Sequence, residues 1–496
     1  MTSELVPSRP GLHPIEPGLE ARRPRADNPR GRLLEGVLQL FDRQQIPYCI
    51  LHGADEYPAR VASDVDFIMP PEYLPRSLGL LLQADRASLG ASVVQLIRYK
   101  STAYCYVLAA DRPGAEREFL AVDVCSDYRG YGRLFYRGER ILESRRLERG
   151  YWVPSPALEF TCYLIKRVGK VSLWIEHGPR LTELYRQDPL GCDRELARFW
   201  PGANGRRIGR LTASGQWDAL RNLVPALRRE LLWPHSRGEW KDTAVYWVTD
   251  TLRRVERWRT ATGLHIVLLG PDGSGKSVSL AALARAVAPA FRRVRAHHFS
   301  PALFRRTEAY RAVTAPHAHP PRSLLGSLAK AIYWFFDFTV GYYGKVRPEL
   351  ARAALVLFDR YLLDALVDPR RYRYAGPAGL LRRIWLLVPK PDLVILLDAP
   401  SDVLRARKQE VAVAEVDRQR EAYRRLLQSL PNGHVVDASR PSEEVVEDLA
   451  TIVLGHLEAR IEARWSRPGT PRQGRPGPGW PEPTRTLISW VTGVMM

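Results

Sequence analysis

Hydrophobic residues along this chain follow three successive spacings. Leu33, Leu34, Val37, Leu38 and Phe41 recur every three to four positions, which predicts an amphipathic helix from Gly31 that ends before Pro47. Residues 48–51 then read as a short strand, and residues 63–69 and 119–124 place acids at intervals in apolar runs, as half-buried strands do. Residues 158–258 return to helical spacing, over 159–168, 180–186, 194–199, 217–232 and 243–257, with Gly191, Pro201, Gly202 and Gly205 between them. From 262 to 460 short apolar runs at 264–269, 294–299, 353–358, 392–397 and 434–436 alternate with helical stretches, one of them over 324–343 with a break near Gly341. That alternation predicts an α/β unit with a parallel sheet covered by helices on both faces. An α+β domain over 31–157 and a helical extension over 158–258 precede it. Residues 1–30 and 461–496 read as disordered tails.

One stretch organises the chain. Gly270-Pro271-Asp272-Gly273-Ser274-Gly275-Lys276-Ser277 follows the apolar run 264–269 and leads into a helical run. A strand, a glycine-rich turn and a helix in that order make a phosphate cradle, because successive backbone N–H groups and the helix N-terminus face one anionic site. Lys276 is placed to reach the β- and γ-phosphates of ATP, and Ser277 to ligate Mg²⁺. Asp359-Arg360-Tyr361 and Asp398-Ala399-Pro400 close two other apolar runs. Ligands of open parallel sheets bind beyond the carboxyl ends of the strands, so Asp359 and Arg360 belong beside the P-loop.

The first domain carries a different signal. Asp64 and Asp66 are two apart on one strand and share a face, and Asp123 sits in a second strand. Carboxylates held side by side repel, and a shared divalent cation is the usual reason to place them so. Asp123 is the candidate that completes a two-metal site.

Composition narrows the partners. The chain has 496 residues, 45% of them hydrophobic, and a formal charge of +20. That length suggests units of about 150 residues each, and the charge points to phosphorylated or otherwise anionic partners. No block interleaves basic and aromatic residues, so nucleic acid is not an expected partner. Five cysteines without CxxC spacing read as reduced core residues and indicate neither a disulfide framework nor a zinc site. The first residues lack an apolar targeting segment. Residues 333–343 are interrupted by Asp337 and bracketed by Lys330 and Lys345, too short for a bilayer span of about 20 residues. A cytoplasmic protein is expected, with a homodimer allowed, and the apolar residues 487–496 read as a frayed end.

Leu51-His52-Gly53, the Asp64/Asp66 pair and Asp123 resemble the signature of the nucleotidyltransferase superfamily. The resemblance implies nucleotidyl transfer through cations on these acids; Ala54 stands where that family has a Ser or Gly that holds the triphosphate. The second half resembles the thymidylate kinase family of P-loop phosphotransferases, on the P-loop with Asp272, on Asp359-Arg360-Tyr361 and on the arginine-rich segment 404–423. That resemblance implies ATP, Mg²⁺ and a nucleoside monophosphate or related phosphorylated or sugar-bearing acceptor. It implies that Asp272 faces the acceptor's sugar, that Arg360 holds its phosphate, and that Arg405, Arg407, Lys408, Arg418 and Arg420 lie on a mobile lid of which one or two are catalytic. Lys276, Asp359, Arg360, Arg405, Arg407 and Arg418 are the catalytic candidates, and Gly270, Asp272, Gly273, Ser274, Gly275, Lys276 and Ser277 the nucleotide-binding ones. His297-His298-Phe299-Ser300-Pro301 replaces an Arg-Glu-Pro-Gly-like loop, and Asp337-Phe338 replaces an Asp-Arg pair. The basic, aromatic segment 364–374 is a candidate for a different acceptor pocket. Two alternatives remain open: nucleotidyl transfer at the first domain with the P-loop domain accessory, and a regulatory protein that binds ATP without transfer.

Overall fold

The computed structural model describes residues 23, 26–61, 64–110, 117–173, 175–233, 237–302, 320–408 and 413–466. Ser63, most of the two predicted tails and the apolar stretch 487–496 lie outside them.

The first half is built on the sheet β1 (Cys49–Ile50), β2 (Asp64–Ile68), β3 (Ala91–Lys100), β4 (Ala103–Ala110) and β5 (Phe119–Cys125), in the order β1-β2-β5-β4-β3. β2 and β5 run parallel and the other neighbours antiparallel. Two small ribbons follow, β6 (Asp127–Gly130) with β7 (Arg133–Arg137) and β8 (Arg146–Glu148) with β9 (Tyr151–Val153). Helix α1 (Pro29–Arg43) covers one face with Leu34, Val37, Leu38 and Phe41, the positions its periodicity predicts. Asn28 caps it, accepting from the Gly31 N–H at 2.7 Å, so the helix starts two residues before the sequence places it. The expected N-terminal tail is also shorter than 30 residues: Arg23 is buried and donates to Asp42, Tyr48 and the Gly150 carbonyl.

Helices α2 (Arg76–Ala84), α3 (Arg86–Leu89) and α4 (Gly138–Glu143) complete this domain, and α5 (Pro156–Lys170), α6 (Gly178–Gln187), α7 (Pro189–Phe199), α8 (Ala203–Ala213) and α9 (Trp217–Leu232) form the helical extension around a separate core. The long helix α10 (Arg237–Arg259) leads to the second half. There the strands β10 (Leu264–Leu269), β11 (Arg293–His298), β12 (Ala354–Asp359), β13 (Leu393–Asp398) and β14 (Gly433–Asp437) pair in parallel in the order β11-β12-β10-β13-β14. β10 is buried along its whole length because helices cover both of its faces. α11 (Lys276–Val287) packs on one face. On the other lie α12 (Leu324–Gly341), α13 (Arg347–Ala351), α14 (Leu362–Val367), α15 (Ala378–Leu387) and α17 (Val413–Gln428), which follows α16 (Ser401–Arg407). The break expected near Gly341 is a wide helical turn over Tyr342–Val346.

The last helix, α18 (Ser442–Ser466), joins the halves. Val445, Leu449, Val453 and Leu457 enter a core with β10 and α11, and the same core takes in Val94, Val107, Ala109 and Phe119 from the first sheet. Ile461 and Trp465 continue into the core of the first half, so the tail expected from residue 461 begins later. A Cβ on Gly79 would come within 2.3 Å of the Trp465 ring, so only glycine admits the indole there.

Candidate functional site

The P-loop lies between β10 and α11, at the carboxyl end of the central strand. Gly270, Gly273 and Gly275 have φ of 149°, 86° and 81°, which glycine adopts without a Cβ clash. A Cβ at Gly270 would sit 2.5 Å from the Leu397 carbonyl oxygen, and one at Gly273 2.6 Å from that of Leu404. The cradle is therefore closed in by the end of β13 and by α16. Lys276 is buried, and its Nζ donates to the Gly270 and Pro271 carbonyls, each at 2.7 Å. Burial and the neighbouring Arg360 push its ammonium down to about 7, against the pull of Asp272 and Asp359. Ser277 Oγ donates to Asp359 Oδ2 at 2.8 Å, while Asp359 Oδ1 is buried without a hydrogen-bond partner. A hydroxyl beside a carboxylate with an unspent oxygen is a donor set that suits Mg²⁺, and a glycine cradle with a buried lysine suits a polyphosphate. ATP and Mg²⁺ thus fit the residues that the sequence nominates.

Asp272 points to the other side of the loop. Arg360 Nη2 donates to its Oδ1 at 2.5 Å, and Arg371 Nη1 to its Oδ2 at 2.6 Å. Burial pushes the Asp272 carboxyl up, but Arg360, Lys276 and Arg371 outweigh this and hold it well below the usual carboxylate range. Arg360 follows β12 with φ of 74°, a conformation that costs a non-glycine residue about 1 kcal/mol or more. Its N–H donates to the Leu268 carbonyl at 2.9 Å, and its Nη1 forks onto both oxygens of Asp364 at 3.0 and 2.8 Å. Asp364 has no exposed surface and also accepts from the hydroxyls of Tyr372 and, on α17, Tyr423. The Tyr372 ring meets Phe299 at 4.4 Å and Trp334 at 5.7 Å, which builds an aromatic wall beside the arginines. Ser300 Oγ donates to Asp337 Oδ2 at 2.6 Å below that wall.

Asp364, Arg371 and Tyr372 belong to the segment 364–374 expected to shape an acceptor pocket, and Tyr423 ends the arginine-rich segment 404–423, but no sequence motif assigns any of them an individual role. A helical i, i+4 spacing relates Arg360 to Asp364, but no local pattern brings Tyr423 or Arg371 to them. The predicted lid residues divide. Arg407 donates to the Ala438 carbonyl at 2.7 Å, Arg418 pairs with Glu415, and Arg420 donates to Asp398 at 2.8 Å. Arg405 is exposed on α16, close in sequence to Leu404 and Lys408, which touch the P-loop. Residues 409–412, the middle of the arginine-rich segment, lie outside the described residues.

In the first half Asp66 and Asp123 are direct cross-strand partners, as the two-strand reading expects. Two other side chains share Asp66 with any cation bound there, while Asp123 Oδ1 is buried without a hydrogen-bond partner. Lys166 of α5 places its Nζ 2.9 Å from Asp66 Oδ2, in contact with the His52 ring, and His52 Nε2 is 3.1 Å from the same oxygen. Burial raises the Asp66 carboxyl, but His52 and Lys166 more than reverse that and keep it ionised. Asp123 is pushed up to about 6 by burial and by Asp66 and Asp64, partly offset by hydrogen bonds from Cys105 and Tyr99. An ammonium already neutralises one acid while another leans toward its protonated form. Among the described residues no group of three or more His, Cys, Asp or Glu side chains is arranged to hold a metal ion. The acidic face continues through Val107 and Phe119 into the core shared with α18, so it turns toward the strand starts of the second sheet, where Arg292 stacks on Tyr99. The P-loop lies at the opposite ends of those strands.

Residues 269–449 match the family model described as Thymidylate kinase. The second half is thymidylate kinase-like. A thymidylate kinase of Xanthomonas oryzae pv. oryzae is 32% identical over 126 residues, 23% of this chain and 53% of that protein. The "Probable thymidylate kinase" of Pyrobaculum aerophilum is 31% identical over 135 residues, 25% of this chain and 66% of that one. The chain thus spans about half to two thirds of the length of the curated relatives it matches. A solved structure titled as thymidylate kinase from Candida albicans aligns at 16% identity with a TM-score of 0.29, over 38% of this chain and 91% of that one. The matched segment 269–449 contains the P-loop, Asp359, Arg360, Asp364, Arg371 and Tyr423. Among the described residues no helix is long and apolar enough to cross a membrane.

Proposed function

We propose that the protein is an ATP-dependent phosphotransferase of the thymidylate kinase type whose acceptor carries a phosphate. The observation that carries the reading is the pairing of Asp272 with both Arg360 and Arg371 beside a complete P-loop. Pure nucleotide binding needs no such doubly held carboxylate, whereas an acceptor phosphate offers these guanidiniums a bidentate anionic partner. Lys276 is free to turn from the loop carbonyls toward a transferred phosphoryl, and Ser277 with Asp359 would hold Mg²⁺, which would neutralise charge on the phosphates. Arg360 and Arg371 orient the acceptor, while Asp272, released from Arg371, accepts a hydrogen bond from its hydroxyl. The aromatic wall of Phe299, Trp334 and Tyr372 suits a flat ring on the acceptor. Arg405, exposed on α16, is the lid residue proposed to close over the γ-phosphoryl and shed water. Screening a metabolite panel for ATP-dependent mass gain tests the assignment, with Lys276→Ala as the control. Equal turnover by that variant overturns it.

A second reading, nucleotidyl transfer at the first half, rests on the adjacency of Asp66 and Asp123. Nucleotides labelled at the α-phosphate separate the two, because only nucleotidyl transfer leaves that label on an acceptor.

A further inference from the structure

Helix α10 presents tryptophans to solvent. Trp240, Trp247 and Trp258 are 49%, 47% and 41% exposed, and Val255 between them is 53% exposed. Tryptophan is rarely this open in a soluble domain, since its large apolar surface favours burial. The three indoles and Val255 recur at helical spacing on one arc that runs for about 27 Å at 1.5 Å per residue. Trp233, 63% exposed at the end of α9, extends the patch by packing edge-on against Trp240 at 5.5 Å.

The charges of α10 are sorted around this arc. Lys241 and Arg259 flank it and are exposed, and Arg254 lies over the Trp247 ring. Of the helix's four acids, Glu239 pairs with Arg133, Glu256 with Arg98, and buried Asp250 with both Arg253 and Arg254, while Asp242 is exposed beside the clefts it lines. An arc of indoles edged by the cations Lys241 and Arg259 complements a surface that is apolar inside and anionic at its rim. That is the chemistry of the headgroup region of a bilayer with anionic lipids, where indole rings settle and basic side chains meet phosphate.

We propose that α10 docks the protein onto anionic lipid bilayers, lying in the interface with Trp240, Trp247 and Trp258 inserted at the headgroup level. The inference stands apart from the kinase reading, since it uses no residue of the P-loop cleft. In this orientation the helix lies on the membrane and does not cross it.

Flotation of the full-length protein with vesicles tests this, using phosphatidylcholine alone and phosphatidylcholine mixed with phosphatidylglycerol. The expected result is flotation with the mixed vesicles, little with the neutral ones, and weaker binding at high salt. Trp240→Ser/Trp258→Ser is expected to lower partition by about tenfold or more, with Arg254 and Arg259 still in place. Its circular dichroism melt and ATP affinity should match the parent, which separates loss of docking from loss of fold. A chain that stays unbound with both vesicle types overturns the proposal. So does a tryptophan variant that floats as well as the parent, since binding would then come from net positive charge alone.

Discussion

The guanidinium of Arg371 donates to Asp272 Oδ2 at 2.6 Å, on the carboxylate oxygen that Arg360 leaves free. The P-loop and the segment after α14 are thereby tied together directly. Replacing Arg371 by alanine removes a charge-assisted contact of about 1.5 to 3 kcal/mol. The acceptor KM should then rise by roughly 10- to 100-fold with the ATP KM unchanged. Steady-state kinetics with both substrates varied checks it, and an equal loss for ATP would speak against an acceptor role.

Lys276→Ala should lower ATP turnover by about 100- to 1000-fold or more, because it removes a cation aimed at developing phosphate charge. The melting temperature should hold, since the side chain contributes a buried ammonium, not apolar packing. A collapsed melt would mean that the loop depends on the bonds from Lys276 to Gly270 and Pro271.

With its ammonium held down to about 7, Lys276 is largely neutral in the free protein at pH 8. A bound polyphosphate favours the charged form, so nucleotide binding at that pH should take up about one proton, and affinity should fall as pH rises above 7. Calorimetry in buffers of different ionisation enthalpy measures the uptake. A binding enthalpy that is independent of buffer would refute it.

In the first half, Lys166→Met should leave Asp66 without its ammonium. The depressed Asp66 carboxyl contributes stability above the ordinary aspartate pKa near 4, and that contribution is lost as pH falls through its lower folded value. The variant should therefore be about 1 to 3 kcal/mol less stable at neutral pH and lose less on acidification. Urea melts at pH 7 and pH 3 read both. The same variant should bind Mn²⁺ in an Asp66-dependent way that the parent does not, as seen by electron paramagnetic resonance without nucleotide.

Trp465→Ala should cost about 3 to 5 kcal/mol, because the indole fills a space that Gly79 leaves open in the core of the first half. Differential scanning calorimetry should show the first half melting earlier. A chain cut after residue 460 should behave in the same way, since Ile461 and Trp465 both lie beyond that point.

The sequence by itself determined the second half almost completely. A P-loop between a strand and a helix, and apolar runs ending in Asp359 and Asp398, are local patterns, and local spacing dictates strand, turn and helix. The pairing of Asp66 with Asp123 was legible for the same reason, from alternation on two strands. Tertiary structure decided what these groups do to one another. Lys166 reaches Asp66 from 100 residues away and forms an ion pair at the expected cation site. Tyr423 and Arg371 converge on Asp364 and Asp272 across 59 and 99 residues. The arginine-rich segment predicted as a lid is largely tied to carbonyls and acids, and α18 runs past its predicted end to bind two cores into one. Periodicity reports which face of an element is buried, whereas charge pairing depends on which distant element is folded against that face.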